Sequence, residues 1–132
     1  MENREINVEK SDIIKLDEVL SQVKVGKLSN EDVFKLLENK IELSKQMKEI
    51  REANELAWKE LKPAELSDDM NEELKTRLEE KWKMRHNEFY IKFVKEVVAI
   101  NFQKISKEVL LDLVKENNIS FGGMELIARY MV

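Results

Sequence analysis

"EVVAINFQKISKEV", residues 96–109, is the stretch on which the fold turns, because it reads as a strand in a chain that otherwise reads as helix. Val98, Ile100 and Phe102 fall on one side at period two, with Asn101 and Gln103 on the other, the signature of a half-buried strand. A lone strand leaves its backbone N–H and C=O groups unpaired, so it has to find a second strand, within the chain or in another molecule. The spacing predicts strand over 97–105, then a Ser106 N-cap and a short helix ending at Asn117-Asn118.

Working outward, the strongest helical signal lies upstream, in "LSNEDVFKLLENKIELSKQMKEIREANELAWKELKP" (28–63). Ser29 and Asp32 form a capping box, and Glu31 and Asp32 place negative charge where the helix dipole favours it. Leu36, Leu43, Met47, Ile50, Ala57 and Leu61 make an apolar seam, interrupted by Lys40 and Asn54, and Pro63 ends the helix. Some 32 residues of helix span about 48 Å, too long for a compact globule of this size, so part of it projects or meets a partner. Ser67 is the expected N-cap of a second helix with the stripe Met70, Leu74, Leu78, Trp82 and Phe89, running to Val94. The two form an antiparallel helical hairpin.

On the N-terminal side, Ser11 is the expected cap of a helix through Ile13, Leu16, Leu20 and Val23, stopped at Gly26. Residues 1–10 are polar and read as a disordered terminus. On the C-terminal side, Gly122-Gly123 reads as a tight turn before a last short helix. The expected fold class is therefore mainly α: a long antiparallel hairpin (29–94) and a small α/β head (95–132) with one short strand, in a single domain over 11–132.

Composition bounds the function. The chain has 132 residues, 38% of them charged, with a net charge of −4, three Gly, one Pro, one His and no Cys. The charged fraction, against about 25% in average proteins, fits long solvated helices. The absence of Cys removes disulfides and thiolate metal sites. No signal-peptide h-region and no long apolar run is visible, so a cytoplasmic protein with no membrane contact is expected. The acidic balance argues against a duplex-DNA binder. "KWKMRHNEFYIKF" (81–93) does mix basic and aromatic residues, which keeps nucleic-acid binding as a lesser alternative. His86 has no neighbouring nucleophile or acid in sequence and reads as an exposed helical residue. The many Glu residues alternate with Lys and Arg as a solvated helix face rather than as acid–base or metal pairs. "SFGGME" lacks the residues of a phosphate loop. No catalytic residue, cofactor or metal is therefore expected.

In the order of its elements, "NEDVFKLLENKIELSKQMKEIREANELAWKEL" (30–61) and then "FVKEVVAINFQKISKEVLLDL" (93–113), the chain resembles a family of small phage and prophage proteins of unknown function from viruses of Gram-positive bacteria. The resemblance covers roughly residues 11–117. It implies a phage-encoded accessory protein in the host cytoplasm and supplies no functional residues.

The long helix and the strand in search of a partner predict a non-enzymatic protein that binds another protein or its own copies, a homo-oligomeric assembly component. Val98, Ile100, Phe102, Phe121 and Tyr130 are the expected partner-binding residues. Inhibition of a host defence protein is the alternative role.

Overall fold

The computed structural model describes residues 3–132. Seven elements follow in order: β1 (Asn3–Glu9), α1 (Lys10–Ser21), α2 (Asn30–Glu60), α3 (Glu72–Phe93), β2 (Val97–Gln103), α4 (Lys107–Glu116) and α5 (Phe121–Met131). The molecule is mainly helical, with a two-stranded antiparallel sheet.

The strand expected in the head finds its partner at the other end of the chain. β1 pairs with β2 antiparallel, from Asn3 opposite Gln103 to Glu9 opposite Val97. The expectation of a disordered 1–10 is thereby corrected for residues 3–10; residues 1 and 2 lie outside the described residues. "EINVE" alternates polar and apolar at period two, and Ile6 and Val8 bring to the core the apolar face that a strand needs. Strand also ends at Gln103 rather than 105, because Ile105 N–H turns away to donate to the Met131 carbonyl at 2.7 Å. The parity of the ladder is fixed at its end, where Lys10 N–H donates to Glu96 O at 2.9 Å. By alternation, the backbone groups of 98, 100 and 102 face β1, and those of 97, 99, 101 and 103 face outward.

Around the sheet, α1, the first half of α2, α4 and α5 enclose one core. Its fully buried side chains include Val8, Ile13, Leu16, Leu43, Ile100, Phe102, Ile105, Leu113, Ile127 and Met131. Four helices begin with side-chain caps: Ser29, Asn71, Ser106 and Ser120 each accept a backbone N–H three residues on. For α3 the cap is Asn71, not Ser67. Helix α1 starts at Lys10, one residue ahead of Ser11, and ends at Ser21, well before Gly26.

Gly122 and Gly123 lie in the first turn of α5, not in a tight turn, and no described glycine has positive φ. Close packing explains Gly123: a Cβ there would stand 3.0 Å from the Ile119 Cγ2 and 3.1 Å from the Val19 Cγ2. Hydrogen there lets α5 seat against α1.

The α2–α3 hairpin divides into two zones. Up to Ile50, α2 contributes Leu36, Asn39, Leu43 and Ile50 to the interior. Beyond Ile50 neither α2 nor α3 buries another side chain until Phe93. The outer zone is closed by its own contacts. Trp58 and Trp82 stack with ring centroids 4.0 Å apart. Trp82 Nε1–H donates to the Trp58 carbonyl at 2.6 Å, and His86 Nε2 bonds Asn54 Oδ1 at 2.8 Å. His86 is thus half-buried against its hairpin partner rather than exposed, with Trp58 meeting its ring edge-on at 5.2 Å.

Candidate protein-interaction surface

Each residue expected to touch a partner has a definite place. Ile100 is 2% exposed and Phe102 1%, and Val98 is packed against the same core. These three serve the interior of this chain, which corrects their assignment to a contact surface: β1 and the helices already cover them. Tyr130 is half-buried, and its hydroxyl donates to Asp12 Oδ2 at 2.5 Å, tying α5 to α1. Burial pushes the Tyr130 phenol above its usual range, and the bond to Asp12 pushes it the same way. Phe121 alone of the five stands free, at 88% exposure. It is the first residue of α5, beside a groove of about 820 Å³ between α1 and the α4–α5 junction. Charges of both signs line that groove, among them Lys15, Glu18, Lys24 and Arg129.

The larger exposed apolar feature was not anticipated. On α2, Phe34 (62% exposed), Leu37 (49%) and Ile41 (46%) recur at spacings of three and four. At about 100° per residue they form one stripe, roughly 150° round the helix from the buried row Leu36, Asn39, Leu43 and Ile50. The first three turns of α2 therefore carry two apolar faces, one in the core and one in solvent. Scattered surface apolar residues are ordinary, but three aligned on a rigid helix make a contiguous patch.

Two asparagines hold this half of α2 and the helical head in place. Asn39, fully buried, accepts from Gln103 N–H at 2.6 Å and donates from Nδ2 to Gln103 O at 3.0 Å. A side-chain amide here imitates the next strand of the sheet and closes the outward end of β2 against α2. Asn117 does the same for Lys24: it accepts from Lys24 N–H at 2.7 Å and donates to Lys24 O at 2.9 Å. On the far side of α2, Lys40 Nζ meets Asp17 Oδ1 at 2.6 Å, both side chains mostly shielded. So the exposed stripe is mounted on a helix fixed from both flanks.

The sheet has one more accessible feature, the outer edge of β1. The outward backbone groups of Glu5 and Asn7 have no partner among the described residues. Glu5 and Glu9 stand on the solvent face beside it. Antiparallel self-pairing centred on Asn7 would set Glu5 against Glu9 of a second copy, and like charges directly opposite destabilise a strand pair. Glu5 and Glu9 thus disfavour that one register of edge pairing.

Among the described residues, no group of three or more His, Cys, Asp or Glu could hold a metal ion, and no helix is long and apolar enough to cross a membrane. No family model, curated protein or solved structure matches this chain.

Proposed function

We propose that this chain is a non-enzymatic accessory protein, phage-encoded as its element order suggests, that acts by protein–protein binding as a component of an assembly. The observation that carries this reading is the Phe34–Leu37–Ile41 stripe on a helix whose opposite face is already committed to the core. A helix with apolar residues on both faces offers the second face to another molecule, in the manner of helix-face recognition. Phe121, exposed at the start of α5, is a second anchor of the aromatic kind that interfaces favour.

The test is site-specific photocrosslinking in cells that naturally carry the chain. A photoreactive side chain at Leu37 is expected to give an adduct of discrete mass, while the same group at Lys62, near the hairpin tip, gives none. Equal labelling at both positions, or no discrete adduct at Leu37, overturns the reading.

A further inference from the structure

Beyond its root, the α2–α3 hairpin stands apart from the core. Ala53 on α2 and Phe89 on α3 are the last hairpin residues that pack against the core, and among the described residues none between them in the chain does so. From 51 to 92 the one buried residue is Pro63, in the loop at the tip. Phe89 stacks on Phe93, itself 5% exposed, with ring centroids 5.0 Å apart, and this anchors the root of α3. Past the root, one cluster joins the two helices: the Trp58–Trp82 stack, the Asn54–His86 bond and two side-chain donors from α3. Those donors meet carbonyls at the end of α2, where no helical N–H is left to reach them. Trp82 Nε1–H serves the Trp58 carbonyl at 2.6 Å, and Arg85 Nη1–H serves that of the C-cap residue Leu61 at 3.5 Å. The ion pair Arg77–Glu73, at 2.9 Å, lies within α3 and does nothing to join it to α2.

We propose that residues 54–88 form a clasped arm that opens as one unit while the rest of the chain stays folded, with Asn54, Trp58, Trp82 and His86 as the clasp. The parts are coupled. Separating the helices breaks the aromatic stack and, in the same step, strips the end of α2 of the donors that cap it. Helices this short are marginal in water on their own, so once the clasp parts both segments lose their helical bonds together. The head has no share in this loss. Its β1–β2 ladder, the Asn39–Gln103 bonds and its buried side chains all belong to residues outside 54–88. A segment with so little buried apolar surface and so many solvent-exposed backbone bonds lies at the low end of local stability. Opening uncovers Trp58, Leu61, Leu78 and Trp82, which are half-buried while the arm is closed.

Native-state hydrogen exchange on the purified full chain, followed residue by residue by NMR, reads the opening directly. The amides of Ala57, Trp58, Lys81 and Trp82 are expected to be protected, yet to exchange about a hundredfold or more faster than those of Ile100 and Phe102 in the ladder. Low concentrations of urea should quicken the arm amides with a shallow slope, because opening the arm exposes less surface than unfolding the whole chain. Trp82→Ala removes the stack and the cap together and should quicken arm exchange by about tenfold, leaving Ile100 and Phe102 unchanged. Asn54→Ala takes away only the bond to His86 and should quicken the same amides by about threefold. Equal protection and equal urea slopes in arm and head overturn the proposal, since the chain then opens only as a whole. Arm amides with no protection overturn it too, because they deny the closed clasp. So does a Trp82→Ala variant that leaves arm exchange as it was or quickens the head by the same factor.

Discussion

Replacing Asn39 with Ala tests the claim that a single amide anchors α2 to the sheet. The side chain is fully buried and makes two bonds to one residue, at 2.6 Å from Gln103 N–H and 3.0 Å to Gln103 O. Alanine removes both partners and leaves a buried donor and a buried acceptor on a backbone that cannot move away, since Phe102 beside it is 1% exposed. Each unsatisfied group costs about 1–3 kcal/mol, reduced where water enters. A small void adds to this. The sum is about 3 kcal/mol, a large fraction of the roughly 5–15 kcal/mol that holds such a domain together.

Urea unfolding followed by far-ultraviolet circular dichroism measures it. With a slope of roughly 1.5–2 kcal/mol per molar urea for a chain of this size, the midpoint falls by about 1.5–2 M with the slope unchanged. Asn39→Leu, which fills the space but restores neither bond, should lose a similar amount, separating the hydrogen bonds from the void. Amide exchange at Gln103 should quicken in both variants, beyond what the global loss predicts. A loss below about 0.5 kcal/mol in both, the scale of an ordinary surface substitution, with exchange at Gln103 unchanged, would refute the anchoring role.

Four further outcomes are expected. Trp82→Phe keeps an aromatic stack on Trp58 but deletes the donor to the Trp58 carbonyl; a loss of about 1 kcal/mol is expected, with faster exchange confined to the outer hairpin while Gln103 stays protected. Gly123→Ala forces the Ile119 and Val19 methyls aside and should cost about 1–3 kcal/mol as overpacking does, read by thermal unfolding. Tyr130 has its phenol raised by burial, so the folded state favours the neutral form. Its stabilising contribution is complete below pH 10 and is lost as pH rises through the folded value; Tyr130→Phe should be less stable near neutrality but show a shallower alkaline decline in stability. Phe121→Ala, at a side chain 88% exposed, should move stability by less than about 0.5 kcal/mol, so any loss of partner binding by that variant is a contact effect.

Much of the fold was legible because it is encoded locally. The capping box at Ser29, the break at Pro63, the strand period at 98–102 and the cap at Ser106 all act within a few residues, and each stands where expected to within a residue or two. What failed depended on distance. "EINVE" is five residues of alternation inside a polar terminus, too short to announce a strand; it becomes β1 because Val97–Gln103, some ninety residues away, offers a ladder. Gly122-Gly123 carries the composition of a turn, yet Ser120 caps a helix that begins at Phe121, and it is the approach of Val19 on α1 that leaves no room for a side chain at 123. His86 looked exposed because its partners, Asn54 and Trp58, belong to the other helix of the hairpin.

The candidate surface was hidden for a related reason. A search for one seam on α2 follows Leu36, Leu43, Met47 and Ile50 and treats everything else as solvated face. It counts Lys40 as the interruption, whereas the buried row runs through Asn39. Asparagine in an apolar row is a cue in its own right: a buried amide has to be satisfied, and an α-helix has no spare backbone groups to satisfy it, so its partner lies on another element. Once Asn39 is placed inward, Phe34, Leu37 and Ile41 can only point outward, and the second apolar face follows from the 3.6-residue period alone. The strand residues Ile100 and Phe102 were credited with partner contact because their pairing strand went unseen. With β1 in place their apolar side is closed, and the unmet surface passes from the sheet to the back of α2.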